Sequence, residues 1–158
     1  MTYSAVHDDG LAQRPGVRPT TSSEGPHRQL DQQSAPELWG RLVAEVFALD
    51  GVEEGHSAVS PAPSRAVHLR DVGEERSPET NLAPGRRLEP VHLHGVTDTS
   101  IHLVLPPDRG VRLTELGWAE PHGYADSGTD WMVYGPRDEA ELEVAVGIIC
   151  EARVFARG

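Results

Sequence analysis

The amino-acid sequence predicts an α+β fold, in which helices cover one face of a two-layer, mainly antiparallel sheet of about four strands. Three observations favour this architecture. One segment with the 3.6-residue periodicity of an amphipathic helix precedes the central region, and a second ends the chain. Between them, four short segments alternate apolar and polar residues with the two-residue period of strands. The length of 158 residues suits one domain.

The beginning of the chain differs from the rest in its pattern. Residues 1–34 are expected to form a disordered N-terminal tail, and residues 35–158 a single domain. The tail contains several prolines and no apolar periodicity. It therefore offers too little apolar surface to offset the entropy lost on ordering.

The first helix is expected to begin near Ser34, because Ser34 and Glu37 have the spacing of a capping box. Asp50 and Gly51 are expected to end it. The apolar residues between these limits recur with helical spacing: Leu38, Leu42, Val43, Val46 and Leu49.

The strands are expected at 66–70, 90–94, 101–105 and 131–134, with a charged loop over 71–87. A short helix is expected over 108–116. Asp138 and Glu141 are expected to cap the last helix, whose apolar stripe predicts burial of Leu142, Ala145, Val146, Ile149 and Ala152. Cys150 lies in the same apolar region and is expected to be a buried thiol rather than a nucleophile.

Four of the eight histidines fall inside strand segments: His68, His92, His94 and His102. Because side chains alternate along a strand, their apolar neighbours define the opposite face, and all four histidines are expected on one face. The placement of His102 depends on the hairpin loop. A three-residue loop, at 96–98 or 97–99, sets His102 opposite His92 or His94, whereas a four-residue loop sets it opposite Leu93. We predict the three-residue loop.

A histidine cluster can act as general acid, general base or metal ligand. We expect His92, His94, His102 and the loop residue His122 to border a small-molecule pocket without a cofactor. Two alternatives remain open. The histidines could be solvated or hydrogen-bonded surface residues on an open sheet face, or His92 and His94 could bind a divalent metal, with His102 or Asp98 as the third ligand.

The charge balance excludes some partners. The chain has 25 acidic and 14 basic residues and a formal net charge of −11, so neither nucleic acid nor an anionic membrane surface is expected to bind it. No apolar run is long enough to span a membrane, and no secretory signal is recognisable. We therefore expect an acidic cytoplasmic protein, and the oligomeric state stays open.

Four sequence blocks resemble the luciferase-domain family, many of whose members come from actinobacteria. The blocks lie at 92–94, 100–107, 117–122 and 133–138. The resemblance implies kinship with a fungal enzyme that oxidises a hydroxypyrone with dioxygen. The family positions that the resemblance carries over are His92, His94, His102, Glu120, His122, Tyr134 and Arg137. Trp118 lies within the third block. We expect Trp118, Glu120, Tyr134 and Arg137 to contact the substrate, although the aromatic residues could equally belong to the core.

Two functions follow from the sequence. The first is a small-molecule enzyme of secondary metabolism, oxygenase-like or isomerase-like, in which a histidine deprotonates an enol or a phenol. The second is a non-catalytic small-molecule-binding or regulatory module. A metal-dependent enzyme is a variant of the first.

Overall fold

The computed structural model describes residues 10–123 and 128–158. In these ranges three α-helices accompany an open six-stranded antiparallel sheet, so the predicted α+β class is confirmed. The helices are α1 (Pro36–Phe47), α2 (Pro107–Glu115) and α3 (Glu139–Arg157). The strands are β1 (Val52–His56), β2 (Arg65–Leu69), β3 (Val91–Gly95), β4 (Asp98–Val104), β5 (Ala119–Pro121) and β6 (Asp130–Val133).

The sheet has the strand order β1-β2-β3-β4-β6-β5. The four predicted strands are its central members β2, β3, β4 and β6. The two strands that the sequence did not reveal, β1 and β5, form its edges. β1 is largely exposed and acidic, and β5 is only three residues long, so neither has the apolar alternation of a buried strand.

One face of the sheet and all three helices bury a common apolar core. A row of directly paired residues crosses the central strands on this face: Val67, Val91, Leu103 and Trp131. They belong to the same cluster as Leu42 of α1, Leu113 of α2 and Ile149 of α3. The helices therefore cover one face, as the sequence predicted. None of the described helices is both long and apolar enough to cross a membrane.

Helix α2 approaches the sheet most closely at Gly110, where an added Cβ would lie 1.8 Å from Cε2 of Trp131. We expect Gly110→Ala to lower the free energy of unfolding by about 1–3 kcal/mol, because overpacking outweighs the higher helix propensity of alanine. Gly40→Ala in α1 is the matched control, since its Cβ would meet no atom within 4 Å. Urea denaturation measures both; equal stability of the two variants would contradict this packing.

The ends of two helices test the capping predictions. The N-cap of α1 is Ala35, and no side chain caps this helix, so the predicted capping box is wrong. Ser34 lies one residue earlier, and its N–H donates to Oγ1 of Thr99 over 2.9 Å. The helix also ends at Phe47, before the predicted stop. At α3 the prediction for Asp138 is confirmed, since its side chain accepts the N–H of Glu141.

The N-terminal segment, defined here as residues 10–34, is ordered against the domain, so the expected disordered tail is wrong for these residues. Residues 1–9 of that expectation lie outside the described ranges. Nε1 of Trp118 donates to the carbonyl of Ala12, and the Gly135 N–H donates to Oε1 of Gln29, both over 2.9 Å. The Gln29 N–H in turn donates to Oδ1 of Asp98 over 3.0 Å. Polar contacts of this kind need no apolar periodicity, so the sequence pattern did not reveal them.

Candidate functional site

The hairpin of β3 and β4 places two histidines side by side. His92 pairs directly with His102, which is one of the two arrangements that the three-residue loop predicted. The loop itself differs: Gly95 pairs with Asp98, and a register shift lies between Leu93 and Gly95. The two-residue turn and the register shift before it together give the strand pairing that was expected of a three-residue loop.

The face of the sheet opposite the core carries the histidines. A cross-strand row on this face runs through Ala66, His92, His102, Met132 and Glu120. His94 lies two residues from His92 and so shares the face. Its ring centroid is 4.3 Å from that of His102 and 5.4 Å from that of His92. All three histidines are buried, so they are not solvated surface residues on an open face.

Two of these histidines form carboxylate–histidine pairs. Nδ1 of His92 lies 2.8 Å from Oε1 of Glu89, and Nδ1 of His94 lies 2.6 Å from Oδ2 of Asp98. A carboxylate only accepts hydrogen bonds, so each Nδ1 carries the proton, and Nε2 keeps its lone pair. The carboxylates thus fix the tautomer and orientation of both rings.

Further hydrogen bonds hold the carboxylate of Glu89, which is fully buried. The Ser57 hydroxyl donates to Oε1 over 2.6 Å, and the Ala58 N–H donates to Oε2 over 2.9 Å. Burial raises the pKa of Glu89, but the hydrogen bonds from His92 and Ser57 outweigh it and hold the pKa below its usual value. Glu89 is therefore an anion at neutral pH. The sequence analysis did not single out Glu89, because it precedes the strand and belongs to no motif.

The N-terminal segment supplies a histidine that the sequence analysis missed. The ring centroid of His27 is 5.8 Å from that of His102 and 5.2 Å from that of His122. Its Nε2 lies 3.2 Å from Oε1 of Glu120. His122 in turn lies 4.7 Å from His102, centroid to centroid, as its predicted place at the rim requires. His27 lies in the segment expected to be disordered, so its being a histidine was the only signal in the sequence for a place in the site.

These five histidines line one cavity of about 630 Å³. Its other walls come from the N-terminal segment, from the loop between β1 and β2, and from Leu82 and Asp130. A cavity of this size fits a small organic molecule. The tertiary structure thus converts a histidine-bearing sheet face into a pocket.

Burial favours the neutral form of three cavity histidines. It lowers the pKa of His102 well below the usual value, and neighbouring His92 and His94 lower it further. Burial also lowers the pKa of His92, against the opposing hydrogen bond of Glu89, and lowers that of His122 to about 4. At neutral pH these three uncharged imidazoles can accept a proton or a cation.

Several expected site residues lie elsewhere. Trp118 belongs to the apolar core, and Tyr134 is buried with the guanidinium carbon of Arg14 5.3 Å from its ring centroid. Arg137 donates to Glu141, whose Oε1 lies 3.0 Å from Nε. The structure does not bring these three to the cavity wall. Glu120 is not among the described residues that line the cavity, but its Oε1 lies 3.2 Å from Nε2 of His27, which does.

One further strand histidine also falls outside the cavity. His68 shares the sheet face with the cluster, but its Nδ1 lies 2.8 Å from the carbonyl oxygen of Leu88. It is not among the residues that line the cavity.

Comparisons with known proteins bear on this region. The family described as the luciferase domain matches residues 87–152. A protein named luciferase from Armillaria gallica is 30% identical over 164 residues, and the aligned region covers 91% of this chain and 60% of that protein. A luciferase from Neonothopanus nambi is 29% identical over 161 residues, covering 89% and 58% respectively. The chain thus spans about 60% of the length of these relatives. No solved structure matches the chain significantly.

Proposed function

Because the luciferase domain matches residues 87–152 of the chain, we propose that this protein is a small-molecule enzyme with oxygenase-like chemistry. Two lines of support favour this. The relatives that align with most of the chain are named luciferases. The cavity also holds a base in the required form, namely His92 with its Nδ1 fixed by Glu89. The Glu89–His92 pair is the single observation on which the proposal chiefly rests.

The proposed first step is removal of a proton from an acidic enol or phenol. Nε2 of His92 accepts the proton, and the buried carboxylate of Glu89 stabilises the imidazolium that forms. The neutral ring of His102 lies beside it and does not repel the new charge, as a protonated ring would. The pair therefore favours the anionic form of the bound substrate.

The proposed second step is oxidation of that anion. An enolate or phenolate is electron-rich, and its carbon donates electrons to dioxygen, which is the oxidant and becomes bonded to that carbon. His92, His94 and His102 are buried, and the lower local dielectric strengthens their interactions with the anion. A role in secondary metabolism belongs to the same proposal.

Oxygen uptake tests this function. Purified protein is mixed with a panel of enols and phenols that includes hydroxypyrones, and dioxygen is followed with an electrode. We expect uptake with at least one enol, and His92→Ala should lower its rate about 10²–10⁴-fold, as loss of a general base does. His56→Ala is the control, because His56 lies exposed at the end of edge strand β1, and it should keep the full rate.

Two outcomes would contradict the proposal. Uptake that is equal in the wild type and in His92→Ala would exclude His92 as the base. Saturable binding of the same enols without any oxygen uptake would contradict the proposed enzymatic activity. It would favour the alternative, a non-catalytic binding module.

A further inference from the structure

We propose that His92, His94 and His102 bind a divalent transition-metal ion. The inference concerns the cavity of the proposed function, but it depends only on the donor atoms and not on turnover. One ring nitrogen of each histidine lies within 4.8 Å of those of the other two. Nitrogens bound to one tetrahedral zinc ion at about 2.1 Å stand roughly 3.4 Å apart, so modest ring movements would complete the site.

The two carboxylates provide the first independent support. Metal-bound histidines commonly donate their other ring N–H to a carboxylate, which orients the ring and strengthens the ligand. Glu89 and Asp98 do this at Nδ1 of His92 and His94, over 2.8 and 2.6 Å. Nε2 of His92 is thereby left for another partner, whereas Nε2 of His94 lies 3.1 Å from Oγ of Ser60, which an ion would displace. The two negative charges lie where they would offset that of an ion.

The third histidine provides a second support. His102 is only 2% exposed, and its Nε2 is buried without a hydrogen-bond partner among the residues that the structure describes. Leaving a buried polar atom unpaired costs free energy, and such atoms in folded proteins commonly mark an ion or a water molecule. A cation between His102 and its two neighbours would satisfy this nitrogen.

The donor set indicates the class of ion. Imidazole nitrogens suit Zn²⁺, Fe²⁺, Ni²⁺ and Cu²⁺, whereas Mg²⁺ and Ca²⁺ prefer oxygen ligands. Three protein ligands leave at least one coordination position for a small molecule in the cavity. Such an ion would lower the pKa of a hydroxyl group bound to it, so that the proton would pass to water instead of to His92, whose Nε2 would then be a ligand.

The test is metal binding by the full-length protein, free of any histidine tag and stripped with a chelator. Titration calorimetry with Zn²⁺ should give one tight site per chain. Glu89→Gln keeps the size of the side chain but removes its charge, and it should weaken binding about 10–100-fold. His102→Ala should weaken it at least as much, whereas His56→Ala at the exposed edge should bind as the wild type does.

A spectroscopic measurement on the wild type keeps the proposal testable if a variant does not fold. X-ray absorption of the zinc-loaded protein should show scattering from about three imidazole rings. Absence of a tight site, a spectrum without imidazole, or unchanged affinity in Glu89→Gln would overturn the proposal.

The same preparations separate this inference from the proposed function. Tight binding that depends on His102, without oxygen uptake by any enol, would support the metal site and overturn the function. Full uptake by the stripped protein, with no tight site for Zn²⁺, would support the function and overturn the metal site.

Discussion

Substituting Glu141 with alanine is expected to lower the free energy of unfolding by about 3–5 kcal/mol, the cost of breaking a buried ion pair from one side. Glu141 and Arg14 are 4% and 3% exposed, and Oε2 of Glu141 lies 3.7 Å from Nε of Arg14. The same carboxylate accepts the Arg137 N–H over 2.9 Å. Burial lowers the pKa of Arg14, and Glu141 opposes this shift. Without Glu141, Arg14 would lose the carboxylate that contributes most to offsetting its buried charge.

Urea denaturation measures this loss, and Glu139→Ala is the control. The side chain of Glu139 is 66% exposed and pairs with Arg41 at the surface, so its removal should cost no more than about 1 kcal/mol. Because Arg14 belongs to the N-terminal segment, limited proteolysis should also cleave that segment faster in Glu141→Ala. A loss as small as that of the control would show that the segment is held by other contacts.

Substituting Ile149 with alanine is expected to lower the free energy of unfolding by about 2–5 kcal/mol, because it removes three carbon atoms from a fully buried site and leaves a cavity. Ile149 lies on α3 in the apolar cluster shared by the sheet and the helices. The same denaturation experiment measures it. Val154→Ala on the same helix is the control, since Val154 is 64% exposed and should contribute little. Equal losses in the two variants would contradict the placement of α3 over the core.

The cavity is assembled from distant parts of the chain. His92, His94, His102, His122 and their carboxylate partners all lie within the region that matches the luciferase domain, residues 87–152. His27 and the Ser57 hydroxyl lie outside it, in the N-terminal segment and in the loop after β1. The matched region thus supplies four of the cavity histidines and their carboxylate partners. Residues that precede the matched region supply other parts of the cavity wall.

The sequence by itself determined the fold class and the grouping of the strand histidines. Both rest on periodicity, which is a local property: a strand alternates its side chains, and a one-residue shift of register would bury His102 among the helices in place of Leu103. Burial of the apolar face therefore predicted that His102 pairs with a histidine of β3, and the structure selects His92, even though the turn at Gly95 differs from the expected loop.

Only the tertiary structure decided which polar groups meet. The placement of His27, the bond between Glu89 and His92, and the burial of Arg14 against Glu141 join residues through single polar contacts. Such contacts leave no period in the sequence, and an ordered polar segment has the same composition as a disordered one. For the same physical reason Trp118 and Tyr134 could not be assigned to core or pocket in advance, because the type of a residue does not show which side of the sheet receives it.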